Sequence, residues 1–197
     1  MLRPGPGWIR LPPVSDSEYQ ALRAEILGWQ GHRMTIATWT VVVVTAVLGW
    51  IIQAPHRWAW PDGSAILMAT LASAAILTRI LGLNALRLGT YLEVFYEADA
   101  PGWESRNAQV RKGRAWENLN TGIAIIYAAL AVVSIAVPIL ATDRSPSAGS
   151  YVVFALAVCL AGAAIGMLVM PGERARLRER WIEVRDNPQN RAKTARP

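Results

Sequence analysis

Four stretches of the chain run without a charged residue for sixteen positions or more: Met34–Ile52, Gly63–Thr78, Thr121–Thr142 and Gly149–Met170. The second stays apolar through Leu83 once Arg79 is admitted. At 1.5 Å of rise per residue, about 20 residues cross a hydrocarbon layer of roughly 30 Å, so each stretch is long enough to span one. Backbone amides in lipid must be satisfied inside the segment that carries them, and no stretch shows the alternation of a barrel strand. Each therefore predicts a helix. The pattern predicts an all-α integral membrane protein, with four transmembrane helices in two hairpins over residues 34–83 and 121–170.

The polar segments between the spans carry helical patterns of their own. Ser15-Asp-Ser-Glu18 reads as a capping box, opening a helix to about Trp29 with Tyr19, Leu22, Ile26 and Trp29 on one face. That helix is expected to pack on the other extramembrane helices. The second span should continue without a break to Glu97, since it holds no Pro and keeps an apolar stripe at Leu88, Tyr91, Leu92 and Phe95. Asp99-Ala-Pro-Gly102 ends it. Trp103–Leu119 predicts a further helix, and Glu173–Asp186 another after the Pro171-Gly172 break. The leader 1–33 and the segment 84–120 should form a small helical cap, followed by a basic tail, 171–197.

Composition supports the membrane reading. Of 197 residues, 53% are hydrophobic and 17% charged, against about 25% charged in a soluble domain. Charge also sets direction. Eighteen of the twenty Lys and Arg residues lie in the leader, in Arg79–Asn118 or in the tail, leaving Arg57 and Arg144 in the short connections. By the positive-inside rule both termini are cytoplasmic, in a bacterial plasma (inner) membrane. Trp50, Trp58 and Trp60 then fall at the outer interface, and Trp29, Trp116 and Trp181 at the inner one. The leader is Pro- and charge-bearing, unlike a secretory signal peptide.

Chemistry is sparse. No nucleophile elbow, phosphate loop, zinc spacing or haem-attachment motif occurs, so no enzymatic activity, cofactor or catalytic residue is expected. Glu93 and Glu97 share a helix face, but both His residues, His32 and His56, lie elsewhere, and a solvated face is the simpler reading than a metal site. Cys159, amid Val, Leu and Ala, reads as packing. Arg79 is expected to snorkel toward headgroups, and Arg174, Arg176 and Arg178 to meet anionic lipid. Gly162-Ala-Ala-Ile-Gly166 is a GxxxG pattern, and Ala65, Ala69 and Ser73 form a second small face; both are candidate helix-packing surfaces, within one chain or between copies of a homo-oligomer. Pro138 should kink or break the third span.

The segments Glu18-Tyr-Gln-Ala-Leu-Arg-Ala-Glu-Ile26, Gly89-Thr-Tyr-Leu-Glu93 and Pro101-Gly-Trp-Glu104 resemble those of a group of uncharacterised bacterial multi-pass membrane proteins. The succession of helix, membrane hairpin and helix resembles the layout of SLATT-type membrane effectors, although this chain has two hairpins. That resemblance implies an oligomeric effector or pore, gated by its cytoplasmic helices. The alternative is a membrane tether or adaptor for a cytoplasmic protein partner. An Arg-rich tail without a binding module gives no ground for a nucleic-acid partner.

Overall fold

The computed structural model describes residues 16–53, 57, 59–97, 119–142, 145–170 and 172–186. They form five helices: α1 Asp16–Gln53, α2 Trp60–Phe95, α3 Leu119–Ala141, α4 Ala148–Leu168 and α5 Glu173–Asp186. All but α5 are long and apolar enough to cross a membrane. The expected helix over 103–119 and the Ser15 cap lie outside the described residues.

No break separates the leader helix from the first span. α1 runs through Gly28, Gly31 and Arg33 as one 38-residue helix. A Gly inside a helix costs only about 1 kcal/mol relative to Ala, and no Pro interrupts the segment, so packing along its length carries it through. α2 is likewise continuous for 36 residues. In α3, Pro138 removes one backbone hydrogen bond, yet the helix continues to Ala141 with Pro138 buried.

Contacts along α1 and α2 show that they run antiparallel from end to end. Ile51 packs on Gly63, Arg33 lies against Gly82, and the Tyr19 hydroxyl bonds to Glu97. α3 is antiparallel to α2 too, with Tyr127 opposite Thr78 and Asn120 at the level of Arg33. α4 runs parallel to α2, joined to it at one end by Trp60 stacking on Tyr151 and Phe154. All four other helices pack on α2, which is the hub of the bundle.

Large apolar side chains still face outward, and apart from Leu27 of α1 they do so in one band. On α1 they run from Met34 to Ile52, on α2 from Ile66 to Ile80, on α3 from Ile125 to Leu140, and on α4 from Tyr151 to Leu160 and Met167. Nineteen residues of helix make about 28 Å, the thickness of a hydrocarbon layer. Hydroxyls within the band bond back to their own helix: Thr38 to the Met34 carbonyl, Thr70 to Ile66 and Ser73 to Ala69. That arrangement leaves them no need of water.

α2 serves as hub because its inward positions are small. Ala65, Ala72, Ala74, Ala75, Thr78 and Ala85 are buried on it, beside Leu67, Met68 and Leu71. Of the expected small face, Ala65 packs inside, whereas Ala69 and Ser73 are exposed. The stripe that packs is shifted around the helix, because three neighbours claim α2 rather than one. Ala75→Leu should therefore lower stability by about 1–3 kcal/mol through overpacking. Ala69→Leu, on the exposed side of the same helix, should stay within about 0.5 kcal/mol of the parent. Unfolding in mild detergent, followed by circular dichroism, separates the two.

Candidate functional site

Below the apolar band, α1 and α2 continue together as a polar-end extension. Ile26, Ala85 and Leu92 form a second small core there, flanked by Tyr19, Leu22, Trp29, Leu88 and Tyr96. The stripe of the leader helix thus packs on the stripe of α2, as the spacing of both predicts. Tyr19 donates to Glu97 at 3.1 Å, and Glu97 is buried. The phenol of Tyr96 is held well above its ordinary range by burial, and further by its hydrogen bond to Glu18. It stays neutral and serves as a donor.

Four arginines sit at the margin between band and extension or just below it. Arg33 is the most enclosed, with 6% of its surface exposed. Its guanidinium donates to the Asn120 side chain of α3 and lies flat beside Gly82 of α2, where a Cβ would come to 3.2 Å of its central carbon. Gly82 is what lets a guanidinium fit between the helices. Arg79 does not snorkel freely: it pairs with Glu173, at the start of α5. Arg174 and Arg178 both reach Glu93 of α2, at 2.9 and 3.2 Å.

An aromatic cluster completes the site. Trp181 of α5 packs edge-on against Tyr91 and Phe95, with ring centroids 5.4 and 6.1 Å apart. Tyr91 in turn contacts Phe95 and Tyr96, and Tyr96 contacts Tyr19. The rings therefore link α1, α2 and α5 at one end of the bundle. Higher in the band, the hydroxyls of Thr78 and Tyr127 meet at 3.1 Å, both buried.

Several residues singled out from sequence have the following neighbours in the structure. Three of the four arginines assigned to headgroups, Arg79, Arg174 and Arg178, bond to carboxylates of the chain itself; Arg176 is exposed. Gly162 and Gly166 are both exposed, and a Cβ on either would meet open space among the described residues. The inward face of α4 is Ala161, Ala164 and Leu168 instead. Cys159 is also exposed, so it is not core packing. Glu93 is an ion-pair partner rather than a solvated carboxylate. Among the described residues no group of His, Cys, Asp or Glu is placed to hold a metal.

Arg33, Asn120 and Tyr127 were not apparent from the pattern. Arg33 precedes the first span and counts in the sequence as one more flanking base. The signal that could have found Tyr127 is its isolation as the only aromatic residue in the third span. Asn120→Leu should cost about 2 kcal/mol, the scale of a lost hydrogen bond to a charged group, because it strips an acceptor from an enclosed guanidinium. Thermal unfolding in detergent measures it. Comparison with protein-family models, curated proteins and solved structures yields no match.

Proposed function

We propose that the protein is a non-enzymatic effector of the bacterial inner membrane, in which several copies form a pore gated by the polar-end helices. The bundle sits in the bilayer as two hairpins, with both termini and α5 on the cytoplasmic side, where the basic residues gather. One observation carries the gating: α1 and α2 pass from apolar band to extension as unbroken helices. A displacement of the extension is then a displacement of the spans. No hinge absorbs it.

The inward faces of the spans are packed, which favours a path between copies rather than through one. α4 supplies the contact in this reading, because Gly162 and Gly166 leave its outer face low enough for two backbones to approach. Cys159 is a built-in reporter for that contact, three residues from Gly162. Copper-phenanthroline oxidation of native membranes should yield a disulfide-linked dimer, absent in Cys159→Ser and at least severalfold weaker in Gly162→Leu/Gly166→Leu. A monomer band alone would exclude α4 as the meeting face.

Gating is tested in cells by expression from a tight promoter, with a potential-sensitive dye and viable counts. The effector reading expects depolarisation and a loss of viability. Ile26→Ala should blunt both, since it loosens α1 against α2 in the extension and leaves the band untouched. Full polarisation at a membrane level matched by immunoblot would overturn this reading and favour the tether for a cytoplasmic partner.

A further inference from the structure

α5 differs in kind from the helices it follows. It has no buried residue, and five of its fourteen residues are Arg. Two sorts of contact hold it on α2: the carboxylate–guanidinium pairs at Glu173 and Glu93, and the Trp181 ring against Tyr91 and Phe95. Both leave polar atoms unsatisfied. The Trp181 indole N–H is enclosed with no acceptor, and Glu173 Oε2 is enclosed with no donor, among the described residues. Arg178, which shares Glu93 with Arg174, is 53% exposed. That pair, open to solvent on the Arg178 side, holds weakly, whereas Arg79–Glu173 and Arg174–Glu93 are more enclosed, at 13%/32% and 28%/16% exposure.

The face of α5 that docks is also the face a lipid surface would take. Leu177, Trp181 and Val184 recur at helical spacing, flanked by Arg174 and Arg178, while Arg176, Glu179, Arg180 and Glu183 point into solvent. Laid on an inner leaflet, the apolar stripe would enter the acyl boundary. The indole N–H would find a lipid oxygen, and the guanidiniums would find phosphates. One face cannot serve α2 and the leaflet at once. The joint to α4 is short and contains Gly172 at φ 96°, a left-handed conformation that side chains resist. α5 therefore emerges beside the edge of the apolar band.

We infer that α5 is an arm with two positions, clasped to α2 or bound to anionic phospholipid headgroups through Trp181, Arg174 and Arg178. The charge of the bilayer selects between them. Headgroup attraction per arginine and an exposed ion pair are of the same order, so the Arg178–Glu93 pair is the one a headgroup can replace first. Leaving α2 uncovers Tyr91, Phe95 and Glu93. The inference rests on insertion of the four apolar helices in a bilayer, and not on pore formation.

The test uses the full chain with Cys159→Ser, spin-labelled through Arg87→Cys on α2 and Glu183→Cys on α5, both exposed positions. It is reconstituted in nanodiscs of phosphatidylcholine alone or mixed equally with phosphatidylglycerol. Pulsed electron resonance should give one short distance in the neutral lipid and a second, longer one in the anionic mixture. Glu93→Gln, which removes the carboxylate of the clasp, should bring the longer distance into the neutral lipid. The same distance distribution in both lipids would overturn the inference, as would a Glu93→Gln profile identical to the parent. Chain that elutes free of the discs would instead refute bilayer insertion, a different failure seen before any distance is measured.

Discussion

Everything in this bundle depends on how closely its neighbours can approach α2. Between helices whose outer faces stay apolar there is little hydrophobic gain from association in a lipid layer, which such helices are long enough to cross. Contact there comes from close packing and polar pairs. α2 meets the first requirement with Ala, Gly, Ser and Thr at its inward positions, and Ile51 of α1 comes down directly on Gly63. It meets the second through Thr78, paired with Tyr127. α1 and α3 also touch each other, whereas α4 leans mainly on α2. That difference explains why so little of α4 is buried and why its glycine face stays open.

Charge is handled by the same economy of space. A cation near hydrocarbon is costly unless it is paired or reaches water. Arg33 is accommodated by Asn120 and by the missing side chain of Gly82, and Arg79 by Glu173. Both partners come from elements distant in sequence, so each arginine ties the margin of the band to another part of the chain. Asn120 stands at the start of α3 and Glu173 at the start of α5. These pairs set where each helix enters or leaves the apolar band.

The polar end then has two layers of different firmness. Inside lies the apolar seam of Ile26, Ala85 and Leu92, closed by the buried bond from Tyr19 to Glu97. Outside lies α5, held by ion pairs to Arg79 and Glu93 and by one indole. An apolar seam continuous with the long helices is thus overlaid by a helix held mainly through polar pairs.

The chain's hydrophobic pattern by itself determined the four long apolar helices, the run of α2 to the edge of Glu97 and the stripe that joins the leader helix to it. Those follow from local rules: segment length against bilayer thickness, helical spacing, and the absence of Pro. It also showed the break before α5 through Pro171 and Gly172. Partnership across the bundle was not legible. Whether Gly162 or Ala161 faces inward depends on which helix α4 meets, and an Ala-rich span offers small residues on every side. Arg79, Arg174 and Arg178 have the sequence of lipid-facing bases, yet Glu93 and Glu173 reach them first, because tertiary packing brings α5 across α2. Arg33 looked like one flanking charge among several. Only the meeting of α1, α2 and α3 at Gly82 encloses it, since burial belongs to the space between helices and no single helix specifies that space.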